Sequence, residues 1–369
     1  HAATGPLLDL MRGDLTISEI VSKCSHIGAT SEIVEEIVKA LDSNLLLENE
    51  NFATRALEIR QTFNECRIRP AALAGLAYPK EPEDLKKEVN SYLETTKAEG
   101  RKEEKRVIGL ISPHIDYRRG HKTYGAAWRH VIQEQPEIFI VLGTSHQYSE
   151  TLFLLSRKDF SSPLGTHRND LEILSSIEES YGKERSYTSE FLHKQEHSIE
   201  LQLPFITTIN SNSIVVPILV GSFHEMIGSG KYPDEIQEYQ DFINGLVNAV
   251  RKLQLNNRRF CIVGGIDMAH VGPVFGDKSP LSKEQMQLVA HEDMNYISAI
   301  ESQDKGALFR NIAKDGDARR VCGYPSAYTM IDLFDRLGIK YSATLHDYRQ
   351  SVDFEGGCAV TFAGMSLHI

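Results

Sequence analysis

The sequence predicts an α/β protein, with a mostly parallel or mixed sheet carrying helices on both faces, preceded by a small separate unit. Three observations carry this reading. Short β-rich apolar runs recur along residues 67–369, stretches of helical length separate them, and residues 1–66 follow a different pattern.

Within residues 1–66, Thr16 and Glu19 have capping-box spacing ahead of Ile20 and Val21. The next helix carries Val34, Ile37, Val38 and Leu41 at i, i+3, i+4 and i+7, a single apolar stripe. Leu45-Leu46-Leu47 followed by Glu48-Asn49-Glu50-Asn51 reads as a short strand entering a turn, so helix, helix and ribbon suggest a winged-helix-like module. Residues 55–66 read as a connecting helix. Arg69-Pro70 marks the entry to the α/β domain, residues 67–369, because proline cannot continue helical hydrogen bonding.

In that domain Val107–Ile111, Ile138–Leu142, Ile214–Val220 and Phe260–Val263 are the expected strands, each bounded by Gly, Pro or polar residues. Tyr124–Gln133, Asp170–Glu179 and Asp234–Leu253 are expected helices between them. Lys340–Thr344 and Cys358–Met365 are expected to complete the sheet. Arg101–Arg106 is a dense charge run, read as a solvated loop or helix end.

The chain has 369 residues and a formal net charge of −11, a field that repels nucleic acid and anionic lipid. Residues 1–66 hold five Lys/Arg against eleven Asp/Glu, a net of −6, so docking of a protein or peptide is favoured over duplex binding. No apolar stretch reaches bilayer-spanning length, and the first residues lack a basic-then-apolar secretory signature. The five cysteines are scattered without CxxC spacing, as in a reducing compartment. The expected location is the cytoplasm, with no membrane or nucleic-acid partner.

The chemistry is concentrated where strands end. Val107–Ile111 runs into Ser112-Pro113-His114, Ile138–Leu142 into Gly143-Thr144-Ser145-His146, and Phe260–Val263 into Gly264-Gly265-Ile266-Asp267-Met268-Ala269-His270. In open α/β sheets ligands bind outside the carboxyl ends of the strands, so three such endings aim His, His and Asp/His into one crevice. A lone histidine is usually an ordinary hydrogen-bonded residue; repetition in one topological position points to a metal. Imidazoles suit Zn, Cu, Fe and Ni, and two histidines with a carboxylate leave open positions on Fe(II).

Glu196-His197-Ser198-Ile199-Glu200 places His197 and Glu200 at i and i+3, either as the polar face of an amphipathic helix or as a general acid/base tuned by its carboxylate. Cys322 precedes a helix expected from about Ser326 to Leu337, whose dipole would favour thiolate, reinforced by Arg319 and Arg320 if they point the same way. Gly221-Ser222-Phe223-His224 fits an ordinary strand-to-helix turn. No Walker loop, GxGxxG after a strand or GxSxG elbow is present.

Taken in order, Arg69-Pro70-Ala71-Ala72-Leu73-Ala74-Gly75-Leu76-Ala77-Tyr78-Pro79, Pro113-His114-Ile115-Asp116-Tyr117, Gly143-Thr144-Ser145-His146, Glu196-His197-Ser198-Ile199-Glu200, Asp267-Met268-Ala269-His270 and Cys322-Gly323 resemble the MEMO (mediator of cell motility) family over roughly residues 69 to 369. The resemblance implies a fold similar to class III extradiol dioxygenases, which open catechol rings with non-haem Fe(II). It implies His114, His146 and Cys322 at metal-binding positions, with Asp267, His270 and His197 lining the same pocket. A thiolate suits copper or zinc as well as iron, and Asp267 is the alternative hard ligand. Bacterial members are often called AmmeMemoRadiSam system protein B, which implies a partner in a radical S-adenosylmethionine system. Animal members are linked to signalling partners. Two departures stand out: Ile115-Asp116 replaces the family's usual Ala-Gly, and an amino-terminal module is appended.

The expected function is therefore a metal-dependent oxidative enzyme acting on an aromatic or enol-like small molecule. Fe(II) is the first expectation, with Cu or Zn as alternatives. His114 and His146 hold the metal, Cys322 or Asp267 completes the site, and His197 or His270 moves a proton. The rival from another class is a non-catalytic scaffold on the same fold, binding metal or a peptide in its cleft.

Overall fold

The computed structural model describes residues 4–95 and 106–369. The chain divides into two compact units, His1–Glu65 and Cys66–Ile369. Most of the charge run at Arg101–Arg106 lies outside the described residues.

The described part of the first unit is helical: Thr4–Leu8, Ile17–Cys24, a 3-10 turn Ser25–Ile27, Ser31–Ser43 and Glu50–Glu65. The Thr16/Glu19 capping box forms. Val34 is fully buried, with Ile37 and Val38 packed around it. The strand expected at Leu45–Leu47 is absent, and the described residues of this unit contain no wing. Leu45 sits at φ 59°, a left-handed conformation that no strand accommodates. The Asn49 side chain accepts the Phe52 N–H at 3.1 Å, so the following polar residues open a helix rather than a ribbon.

The described residues of the second unit form eleven strands: β1 Ile68–Arg69, β2 Val107–Ser112, β3 Ile138–Thr144, β4 Phe153–Leu155, β5 Asp159–Ser162, β6 Gly165–His167, β7 Ile214–Val220, β8 Phe260–Gly265, β9 His270–Val271, β10 Ser342–Asp353 and β11 Cys358–His368. The main sheet runs β10-β11-β2-β8-β3-β7-β4, with β9 on β11; a small sheet joins β1, β5 and β6. Strands β2, β8, β3 and β7 are parallel to one another, whereas β11, β10 and β4 add antiparallel edges, so the sheet is mixed.

The strand pattern explains why both faces are covered. In β3, Ile138, Ile140 and Leu142 join one apolar cluster while Phe139 and Val141 join the other, and β7 divides in the same way. On the first face lie the helices Leu171–Tyr181, Gln237–Leu255 and Tyr324–Arg336; on the second lie Pro82–Thr95, Tyr117–Trp128 and Leu203–Ile209. The helix expected from Tyr124 begins earlier, at Tyr117, because the Asp116 carboxylate caps it by accepting the Arg119 N–H at 3.2 Å. The tail is a long hairpin, β10 pairing with β11 from Ser342–His368 to Asp353–Cys358, longer than the two short strands expected.

Candidate metal centre

Two parallel strands deliver two imidazoles in the same way. β2 ends at Ser112 and β3 at Thr144, and two residues past each lies a histidine, His114 and His146. The His114 ring is buried, and its Nδ1 lies 2.9 Å from the carbonyl oxygen of Gly265 at the end of β8. A carbonyl only accepts, so Nδ1 carries the proton and Nε2 is left as a free lone pair. Burial, then the positive charge of His146 and His197, holds the His114 pKa well below the ordinary imidazole value.

The third imidazole comes from a short helix, His197–Glu200, laid across the ends of these strands. Glycine makes this approach possible: a Cβ on Gly143 would lie 2.6 Å from Ser198 Oγ, and one on Gly265 2.5 Å from the Ser198 carbonyl oxygen. Glu196 caps the helix, accepting the N–H groups of His197 at 2.8 Å and Ser198 at 3.1 Å. Its carboxylate also meets two ring nitrogens, His146 Nδ1 at 3.0 Å and His197 Nδ1 at 3.1 Å. Burial opposes ionisation of Glu196, but these imidazoles outweigh it and hold the carboxyl far below the usual range. Burial likewise opposes protonation of His197, yet Glu196 raises its pKa overall.

All three rings thus engage an acceptor through Nδ1 and leave Nε2 for another partner. One ligand atom from each of His114, His146 and His197 lies within 4.8 Å of the others. The rings of His146 and His197 stack at 4.5 Å, and His114 stands edge-on to both, at 4.9 and 5.1 Å. Ligand nitrogens around a metal at 2.0–2.1 Å would sit roughly 3 Å apart, so these rings need only a small convergence. The donor set fits a divalent metal: three imidazoles that would give up any Nε2 proton on binding, oriented through Nδ1, one by a carbonyl and two by the Glu196 carboxylate.

Around this trio the other expected residues take distinct places. Asp267 is buried; its Oδ1 accepts the N–H of His114 at 2.9 Å and of Ile115 at 3.3 Å, and its Oδ2 lies 3.8 Å from His114 Nε2. Burial pushes its pKa up to about 6 despite those N–H groups. His270, on β9, has Nδ1 3.1 Å from the Met268 carbonyl and 3.2 Å from that of Arg320, which turns Nε2 into an acceptor. Burial lowers its pKa to about 4, so it is neutral near pH 7.

Cys322 Sγ lies 3.4 Å from His114 Nε2 and 3.7 Å from the Asp267 carbonyl oxygen. Burial and then the Asp267 charge push the thiol up, opposite to the thiolate expected from the helix dipole. Arg319 and Arg320 do not reinforce it: Arg319 engages Asn311 and Asp315, and Arg320 engages Asp277 at 2.8 Å. A bound cation would reverse this balance, because coordination deprotonates a thiol.

Glu200 makes no hydrogen bond to His197 and raises its pKa only as the last of several causes, behind Glu196. It is fully buried, accepting the N–H groups of Ala72 at 3.0 Å and Leu73 at 2.8 Å together with Tyr78 Oη and Arg69. Arg69 in turn donates to the carbonyl oxygens of His193 and Glu196, both at 2.9 Å. This Arg69–Glu200 pair fixes the backbone from which Glu196 reaches the histidines. Neither Arg69 nor Glu196 is among the residues the sequence alone assigns to the site; the local signal for Glu196 is an acidic residue at the cap position directly before His197.

The imidazoles open into a cleft of about 420 Å³, lined also by Asp267, His270, Ile115, Phe275 and Arg119. A second cavity of about 210 Å³ lies behind His146 and Cys322. Gly221–Phe223 forms the strand-to-helix turn, with Ser222 Oγ accepting the His224 N–H at 3.1 Å, and also lines this second cavity.

Fold and site together define a mixed α/β protein with a candidate three-imidazole metal centre at the carboxyl ends of its parallel strands. The chain matches the Memo-like protein family over residues 69–366, and it belongs to that family. It is similar to a MEMO1 family protein of Aquifex aeolicus, 27% identical over 366 residues, covering 98% of this chain and 90% of the relative. It is also similar to MEMO1 family proteins of Thermus thermophilus, 26% identical over 79% of this chain and 82% of the relative, and of Methanosarcina acetivorans, 26% over 78% and 94%. The Aquifex match extends into the first unit, so that unit is not peculiar to this chain. Among the described residues, no helix is long and apolar enough to cross a membrane.

Proposed function

We propose that the protein is a metal-dependent oxidative enzyme acting on an aromatic or enol-like small molecule. One observation carries this: three imidazoles, each tied through Nδ1, converge at the floor of an open cleft. Iron(II) fits first and copper second; either supplies Lewis acidity and a route to dioxygen when bound.

The chain's own residues perform the rest. His114, His146 and His197 hold the metal, and Glu196 keeps two of them in the right tautomer. This moves His197 from proton handling to ligation, and the proton falls to His270, whose Nε2 accepts it from a substrate hydroxyl. Asp267 fixes the His114 backbone, and Cys322 adjoins His114 as a further donor. Ile115, Val360 and Phe275 form an apolar wall that excludes water from one side of the cleft.

Anaerobic purification, loading with Fe(II) and elemental analysis test the reading. About one metal per chain is expected in the natural protein and close to none in a His114→Ala/His146→Ala double variant. Loaded protein is expected to consume oxygen with catecholic or enolic compounds. Equal metal content in both proteins, or no oxygen uptake across such a panel, overturns it.

A further inference from the structure

We propose that the substrate of this cleft is a carboxylic acid, with an apolar, aryl-type body, whose carboxylate is held by Arg119. The proposal deepens the reading above, since it takes the cleft to be the substrate site. Arg119 is in the first turn of the helix Tyr117–Trp128 and lines the same cleft as the three imidazoles. Among the described residues lining that cleft it is the one guanidinium, in a chain whose net charge is −11. An acidic ligand therefore needs a local cation, and Arg119 supplies it.

The guanidinium is held in a particular way. Its Nε donates to Asp116 Oδ2 at 2.5 Å, while Asp116 Oδ1 accepts the Arg119 backbone N–H at 3.2 Å. Asp116 is thus both the helix cap and the clamp on the inner edge of the side chain. Among the described residues, the two Nη groups of Arg119 make no hydrogen bond or ion pair, and the side chain is 40% exposed. A guanidinium fixed at Nε and free at both Nη atoms presents a planar fork, which matches a carboxylate bidentately and loses little freedom on binding.

The remainder of the ligand is set by the opposite character of the neighbouring wall. Ile115, Val360 and Phe275 pack together as an apolar cluster on the cleft, and a volume of about 420 Å³ accommodates a single ring with a short side chain. Asp267, the other carboxylate in the cleft, is buried against His114 and Ile115 and does not compete for Arg119.

Phenylacetate, 3-phenylpropionate and 4-phenylbutyrate, each beside its primary amide, are titrated into the metal-free full-length protein by ligand-observed NMR. The series covers the unknown spacing between ring and carboxylate. At least one acid is expected to bind roughly tenfold more tightly than its amide. In Arg119→Gln that preference is expected to fall below about twofold with the amide's affinity unchanged, and Arg119→Lys is expected to restore part of it. Equal affinities of every acid and its amide, no binding by any member, or an acid preference that survives Arg119→Gln overturns the proposal. Fe(II) loading of separate portions of the same protein preparations, read by elemental analysis, separates the two readings. Acid selectivity without metal binding leaves this proposal standing and removes the metal-dependent one; full metal loading without acid selectivity does the reverse.

Discussion

Glu196 is the residue through which two of the three imidazoles are oriented, and its charge is what distinguishes it from a mere cap. Glu196→Gln keeps the shape and one oxygen acceptor but removes the charge facing His146 and His197. A loss of about 10- to 100-fold in metal affinity is expected, as for other carboxylates behind ligand histidines, read by competition against a coloured chelator. The substitution also moves the pH dependence. His197 has a raised pKa because of Glu196, so metal must displace a proton there, and affinity falls as pH drops through that raised value. Without Glu196 the fall is expected at lower pH. Unchanged affinity together with an unchanged pH profile would show that the carboxylate only caps the helix. Arg69 makes a complementary case: Arg69→Met leaves the buried Glu200 carboxyl without its cation. A destabilisation of about 3–5 kcal/mol is expected in urea unfolding, and a loss under about 1 kcal/mol would mean that the two backbone N–H groups and Tyr78 suffice for Glu200.

At the scale of elements, the site depends on how closely the helix His197–Glu200 approaches β3 and β8. Gly265→Ala places a methyl 2.5 Å from the Ser198 carbonyl oxygen, which is backbone and cannot rotate away. The helix must shift, carrying His197 with it. A stability loss of about 1–3 kcal/mol is expected together with weakened metal binding, whereas an alanine at exposed Gly228, with open space around its Cβ, is the matched control. Normal metal affinity in Gly265→Ala would mean that the third imidazole tolerates displacement. The same elements show what was legible in the sequence. Strands bounded by turn residues and ending in His114, His146 and Asp267 were readable because period and punctuation are local. Leu45–Leu47 was misread because three leucines look like a strand until one adopts a left-handed backbone. The main engagement of Glu200, with Arg69 and Tyr78, is not legible locally because those partners are distant in sequence. The N-cap role of Glu196 was local and readable, but its second hydrogen bond to His146 crosses 50 residues.

Across the whole molecule, the buried ionisable groups set an acid response with two regimes. His114, His167, His193, His270 and His346 all have depressed pKa values in the folded protein, with burial as the first cause; His193 and His270 reach about 4 and His346 about 3. A depressed imidazole contributes stability above pH 6.5 that is lost as pH falls, because only the unfolded chain takes up the proton. Four groups act in the opposite sense. His197, Asp267, Asp293 and Asp317 have raised values, Asp267 and Asp293 at about 6, so the folded state gains protons first and stability rises as pH falls through those values. His197 gains its proton above pH 6.5 and offsets nothing below it, so the strongly depressed His114, His193, His270 and His346 stand against Asp267 and Asp293, leaving a net uptake on unfolding of about two protons, or roughly 2.7 kcal/mol per pH unit, between pH 6.5 and 4.5. Below that, the carboxylates with depressed values, Glu196, Glu178 and Asp234 among them, contribute stability that is lost as they protonate. Urea unfolding of the metal-free protein at a series of pH values is therefore expected to show a decline that begins near pH 6.5 and continues, with the carboxylates joining in, beneath pH 4.5. Unchanged stability from pH 6.5 to 4.5 would mean that the buried imidazoles take up protons in the folded protein as easily as in water.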